Sequence, residues 1–288
     1  MIEKPKLIDE AWSAEDSDPN TIAGLICVGR RFSMLGHRAL VTGGSVSIGR
    51  AIAIAFADAG ADVAIQYAKN ADEELGVAGS AEATAQMIRT RGRKVALIPA
   101  DFSHPGEGRR AVAEAANAIG SLDTLVLAAS IQYRKPFDEV VPEEIDRQVQ
   151  VNFCATIEIL QSALPAMRER GFGRILLIGS VNQTRPEPEL SVYGALKSAQ
   201  ANLALNLARQ FGPFGVTVNN LSPGLVATER NRWRRQDADA WAEIERNSSP
   251  LGRAGTPEEI VGAALLLCSA AGSFINGADL QVTGGRHL

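Results

Sequence analysis

Ser180, Tyr193 and Lys197 are the residues whose types and spacing point to chemistry. In Tyr193-Gly194-Ala195-Leu196-Lys197 a phenol and an ammonium stand four residues apart, on one face of any helix that carries them. A nearby cation favours the phenolate and draws a tyrosine pKa down from about 10 toward working pH. Such a tyrosine can exchange a proton with a carbonyl or alcohol oxygen. Ser180 lies 13 residues upstream, just after the apolar run Arg174–Ile178. There its hydroxyl can hydrogen-bond the same oxygen as charge develops on it. A tyrosine and a lysine at this spacing are common on solvent-facing helices. Here the chain holds only three tyrosines, and this one comes with the serine and with a glycine-rich turn 150 residues earlier.

That turn is Thr42-Gly43-Gly44-Ser45-Val46-Ser47-Ile48-Gly49-Arg50. It follows the first apolar run and opens an Ala-rich segment, the context in which glycines let the backbone approach a pyrophosphate on a helix N-terminus.

The elements that must position these groups are legible in the same way. Apolar runs at Ala39–Thr42, Asp62–Tyr67, Lys94–Pro99, Thr124–Ala128, Arg174–Ile178, Thr217–Leu221 and Asp279–Val282 alternate with longer segments of helical period. Continuous runs suit strands covered on both faces. The alternation predicts an α/β, Rossmann-type doubly wound parallel sheet of about seven strands with helices on both faces. Residues 36–288 read as a single dinucleotide-binding catalytic domain, residues 1–35 as a polar, aperiodic arm, and 225–250 as a lid over the site. Ligands of such sheets bind beyond the carboxyl ends of the strands.

The turn, the serine and the tyrosine–lysine pair together resemble the short-chain dehydrogenase/reductase family, in its shorter single-domain branch, over Phe32 to Gly285. The resemblance implies hydride transfer between a nicotinamide and a substrate carbon. Tyr193 moves the proton, Ser180 orients the oxygen, Lys197 binds the nicotinamide ribose and tunes Tyr193, and Asn152 is the fourth catalytic residue, holding a relay water. It implies cofactor contacts at Gly43, Ser45, Ser47, Ile48 and Gly49 in the turn. Further contacts fall at Tyr67 and Lys69 after the second strand, Asp101 and Phe102 after the third, and Ala128 and Ala129 after the fourth. Pro223, Gly224, Val226 and Thr228 follow the sixth, and Tyr193 and Lys197 complete the set. Two departures stand out. Ser47 replaces the family's middle glycine, so it either adopts a positive φ under strain or donates its hydroxyl to a phosphate. Leu127-Ala128-Ala129-Ser130 stands where the family usually has Asn-Asn-Ala-Gly.

No carboxylate follows the second strand until Asp72, which leans the cofactor toward NADP(H) over NAD(H). Lys69, with Arg50, either meets a 2′-phosphate or is a solvated surface charge. Substrate specificity should come from Gln132, Arg134, Asn182, Gln183, Arg185 and the 225–250 segment. Four arginines, Arg230, Arg232, Arg234 and Arg235, lie within six residues there beside Trp233, with Trp241 farther on. The arginines either meet an acidic substrate or form a solvated face; the tryptophans either stack on a sugar or anchor the segment. The polar set favours a small hydroxylated substrate such as a sugar, polyol or sugar acid. A 3-oxoacyl-carrier-protein reductase is the alternative, and a non-catalytic NAD(P)-binding redox sensor is a reading of another class.

Composition narrows the rest. A formal net charge of −4 argues against a nucleic-acid partner. Cys27, Cys154 and Cys268 lie far apart, and His37, His104 and His287 show no ligand spacing, so neither a disulfide framework nor a metal site is expected. No apolar run approaches the roughly 20 residues needed to cross a bilayer, and no signal peptide opens the chain. The expectation is a cytoplasmic enzyme with a small-molecule substrate and no membrane partner. It would be a homo-oligomer, either tetramer or dimer, as the family resemblance implies.

Overall fold

Each of the seven apolar runs is a strand, within two residues of the expected bounds: β1 (Arg38–Thr42), β2 (Asp62–Tyr67), β3 (Val95–Pro99), β4 (Thr124–Leu127), β5 (Gly173–Ile178), β6 (Val216–Pro223) and β7 (Asp279–Val282). The structure, a computed structural model, describes residues 28–288. Residues 1–27 of the expected arm, with Cys27, therefore lie outside the described residues. The strands form one sheet in the order β3-β2-β1-β4-β5-β6-β7. Every pairing is parallel, with Val41 opposite Ile65 on one side and Val126 on the other. This is the doubly wound sheet expected.

The helices are α1 (Ser47–Asp58), α2 (Lys69–Glu74), α3 (Ser80–Arg89), α4 (Glu107–Ile119), α5 (Pro142–Val149), α6 (Ala155–Arg170), α7 (Ser191–Phe211), α8 (Ala238–Ser248) and α9 (Glu258–Cys268). Successive side chains of a strand point to opposite faces, so each central strand feeds two cores. Leu125, Leu127, Ile175 and Leu177 meet residues of α4, α6 and α7, such as Ala115, Ile159 and Ala204. Val126, Leu176, Ile178 and Leu221 meet α1 and α9 through Ile52, Phe56, Ile260 and Leu267. Every residue of β4, β5 and β6 is buried. That double cover is why their sequences read as unbroken apolar runs.

Strand order reverses at β1 and β4, and the crevice beyond their carboxyl ends is where such folds take ligands. Helix α1 leaves the sheet there and ends before Gly60, whose φ of 104° suits glycine alone.

Candidate active site

A cleft of about 990 Å³ opens over the carboxyl ends of the strands. Tyr193 and Lys197, one turn apart on α7, and Ser180, two residues past β5, all line it. Lys197 is 1% exposed, and its Nζ donates to the Ile178 carbonyl oxygen at 2.7 Å while lying 5.6 Å from the centre of the Tyr193 ring. The lysine thereby joins the helix to the strand end that carries Ser180. Burial pushes its pKa down to about 7, and the like charge of Arg230 adds to the effect. The Ser180 Oγ accepts the Asn182 amide at 3.2 Å, which fixes the hydroxyl at the cleft floor.

Asn152 sits behind this group. It lies in a π-helical turn, Gln150–Cys154, between α5 and α6. Its side chain clamps the Ile131 backbone from both sides, 2.8 Å to the amide and 2.8 Å to the carbonyl. Its own carbonyl oxygen accepts Gln200 Nε2 at 2.6 Å and Thr156 Oγ1 at 3.0 Å. Ile131 lines the cleft and Asn152 does not. What the structure shows for this residue is the shaping of the loop after β4.

The turn between β1 and α1 is built for close approach. A Cβ on Gly49 would fall 2.2 Å from the Gly43 carbonyl oxygen, so only glycine fits. Ser47 has a φ of 52°, the one positive value at a non-glycine position among the described residues. Its hydroxyl donates to the Glu229 carboxylate. Ser45 Oγ donates to Asp72 at 2.9 Å; burial raises the Asp72 pKa, and the serine partly offsets this. After β4, the Ala128 and Ala129 amides donate to Thr42 Oγ1 at 3.0 and 3.1 Å. The hydroxyl of β1 thus holds the segment where the family's asparagines are missing.

These residues fit a dinucleotide. Gly43, Ser45, Ser47, Ile48 and Gly49 ring the N-terminus of α1; Tyr67, Asp101 and Phe102 lie toward β2 and β3; Ala128, Ala129, Pro223, Gly224, Val226 and Thr228 lie toward Tyr193. Burial opposes ionisation of Asp101, but hydrogen bonds from Ser103 and Asn70 outweigh it and hold the carboxyl below its ordinary range. Lys69 does not reach the cleft, contrary to the expected 2′-phosphate contact. Its side chain is 82% exposed, 4.0 Å from Glu73 and outside the cleft lining, because α2 begins at this residue and turns it toward solvent. Arg50 also points elsewhere, onto Met87.

A family model described as "Enoyl-(Acyl carrier protein) reductase" matches residues 43–287. The chain belongs to the short-chain dehydrogenase/reductase family. The gluconate 5-dehydrogenase of Gluconobacter oxydans is 34% identical over 254 residues, 88% of this chain and 96% of that protein. The NAD(P)-dependent L-rhamnose 1-dehydrogenase of a Sphingomonas species is 30% identical over 254 residues, 88% and 97%. A crystal structure of a 3-oxoacyl-(acyl-carrier-protein) reductase from Agrobacterium tumefaciens with NADP bound superposes with a TM-score of 0.84. It shares 42% identity, and the match covers 90% of this chain and 97% of that one. The chain is accordingly an NAD(P)-dependent oxidoreductase of CH–OH groups and their carbonyls.

At the substrate end, this short-chain dehydrogenase/reductase divides its expected specificity residues. Gln132, Arg134 and Asn182 line the cleft. Gln183 instead bonds Asp279 at 2.5 Å, and Arg185 bonds the Arg286 carbonyl at 3.2 Å, both outside it. The arginine run also divides: Arg230 and Arg234 face the cleft, whereas Arg232 and Arg235 are exposed. Trp233 lines the cleft while 62% exposed, and Trp241 does not line it. Glu187, Glu229 and Arg286 were not anticipated as site residues, since nothing local in the sequence marks them.

No helix among the described residues is long and apolar enough to cross a membrane. No group of three or more metal-ligating side chains is gathered among them.

Proposed function

We propose that the enzyme interconverts a small hydroxylated alcohol and its carbonyl, of sugar, polyol or sugar-acid type, with NADP(H) preferred to NAD(H). The observation that carries this reading is that Ser180, Tyr193 and Lys197, together with Gln132, Arg134, Asn182 and Arg234, line one cleft that continues into the phosphate-binding turn. The dinucleotide, when bound, supplies or accepts the hydride. Ser180 and Tyr193 hold the substrate oxygen by hydrogen bonds, and Tyr193 gives it a proton on reduction or takes one on oxidation. Lys197 binds the nicotinamide ribose and ties α7 to the end of β5. Asn152 keeps the Ile131 loop in place, and the 225–250 segment closes the cleft against water. The NADP preference rests on the NADP-bound neighbour and on the lack of a carboxylate at the end of β2.

The enzyme is further proposed to be cytoplasmic and homo-oligomeric, with α7, which exposes Leu205, contributing to a subunit face. A second reading, 3-oxoacyl-carrier-protein reductase, is favoured by the 42% identity to the neighbour of that name. The deciding experiment is titration with NADPH and NADH by nicotinamide fluorescence, followed by turnover of polyols, aldoses, sugar acids and a 3-oxoacyl thioester. Tighter NADPH binding and turnover of a hydroxylated compound, lost in Tyr193→Phe, is the expected result. Turnover of the thioester alone would transfer the assignment to the second reading.

A further inference from the structure

Arg134, Arg230, Arg234 and Arg286 all line the cleft, and their partners are unequal. Arg134 Nη1 pairs with Glu187 at 3.0 Å and with Glu189 at 2.9 Å. Arg286 Nη2 takes the other oxygen of Glu187 at 2.9 Å. Glu187 is thus bridged between two arginines, and the carboxylates largely neutralise both. Arg230 donates through Nη2 to Ser130, 2.6 Å to the carbonyl oxygen and 3.2 Å to the hydroxyl, and is held there.

Arg234 is different. It lines the cleft, is partly buried, and makes no hydrogen bond to any described residue. Burial depresses its pKa first, Arg134 and Arg286 repel it, and Glu187 and Glu189 compensate in part. A planar fork of donors left open in the cleft beside the Arg134–Glu187–Arg286 cluster matches a carboxylate, which it can hold by two parallel hydrogen bonds. A neutral substrate would leave that charge desolvated and unpaired, which costs affinity.

We propose that the substrate is a hydroxy acid of sugar-acid size whose carboxylate binds Arg234, with the Glu187-clamped pair Arg134 and Arg286 as the adjoining wall. This rests on the oxidoreductase reading above and selects one chemical class within it. The acidic helix of a carrier protein is the competing anion. It fits less well, because Arg234 turns into the cleft while the outward arginines of the same segment, Arg232 and Arg235, stay at the surface.

The test compares six-carbon aldonic acids, D-gluconate and D-galactonate, with D-glucitol and D-galactitol, in the intact enzyme with NADP+. The acids should be preferred by at least about tenfold in kcat/KM, the range of one charge-assisted hydrogen bond. Arg234→Gln should raise the acid KM about 10–100-fold with little change in kcat and so erase the preference, Arg234→Lys should restore part of it, and Arg232→Gln should leave it intact. Rising salt should weaken acid binding in the parent and not in Arg234→Gln. Equal use of acids and alditols, or a preference that survives Arg234→Gln, overturns the proposal. So does reduction of a carrier-tethered 3-oxoacyl group without turnover of any acid, and in both cases the oxidoreductase reading stands. Failure to bind NADPH at all would remove both.

Discussion

The Ser47 hydroxyl donates to the Glu229 carboxylate, linking the phosphate-binding turn to the first residue of the 3-10 segment Glu229–Arg235. Ser47 occupies the left-handed region at φ 52°, where a non-glycine residue costs about 1–2 kcal/mol. The bond to Glu229 offsets part of that cost. It also sets an anionic group beside the N-terminus of α1, the position that an incoming pyrophosphate needs.

Glu229→Gln should therefore bind NADPH more tightly, by about 2–5-fold, because one charge that opposes the phosphates is gone. Ser47→Ala should lose roughly 1–2 kcal/mol of stability, since it keeps the strained backbone and gives up the bond. Ser47→Gly should lose less than Ser47→Ala. Nicotinamide fluorescence titration and urea unfolding measure the two effects. Weaker NADPH binding by Glu229→Gln would show that the carboxylate supports the cofactor and does not compete with it.

Lys197 gives a pH dependence with a defined sign. Its folded pKa of about 7 lies below the ordinary 10.5 because burial disfavours the ammonium. Above about pH 10.5 neither folded nor unfolded chain is protonated there, and the group does not bias folding. As pH falls from 10.5 toward 7 the unfolded chain binds a proton that the folded chain does not, so this residue lowers stability across that window. Below about 7 both forms are protonated and the loss stays constant. The cofactor-free enzyme should thus gain stability with rising pH between 7 and 10.5 by a component that Lys197→Met removes. Urea unfolding at several pH values reads the slope. The Cε chemical shift of Lys197 should titrate near 7, and Arg230→Gln should move that midpoint upward by removing the like charge.

What could be read from the sequence and what could not follow from the range of the forces involved. The strands were legible because burial on both faces is written into each run, as in Ile175-Leu176-Leu177-Ile178, where alternate residues serve different cores. Tyr193 and Lys197 were legible because one helical turn brings them together without help from the rest of the chain. Arg286 was not, since it reaches the cleft only when the segment after β7 folds back against Glu187, 99 residues away in sequence. Nor could Arg230 and Arg234 be told from Arg232 and Arg235, because the phase of a short 3-10 segment is set by what it packs against. Leu127 and Ala128 stand where the family has asparagines, which reads from sequence as a local weakening of the match. In the fold, Thr42 Oγ1 accepts the backbone amides of Ala128 and Ala129 and holds the segment in place.

Lys69 separates the sequence expectation from the structural one most cleanly. A basic residue two positions past β2 is where a 2′-phosphate contact was expected, yet α2 starts at Lys69 and sends its side chain into solvent beside Glu73. Asn70, the next residue, lines the cleft instead, and its Nδ2 donates to Asp101 at 2.9 Å. An exposed ion pair of this kind contributes about 0–1 kcal/mol. Lys69→Ala should consequently change NADPH affinity by less than about twofold, whereas Asn70→Ala, which frees Asp101 beside the adenine end, should weaken it several-fold. Parallel fluorescence titrations of the two variants decide the point. A large loss in Lys69→Ala alone would mean that α2 unwinds at its first turn when the dinucleotide binds, bringing the ammonium round to the 2′-phosphate.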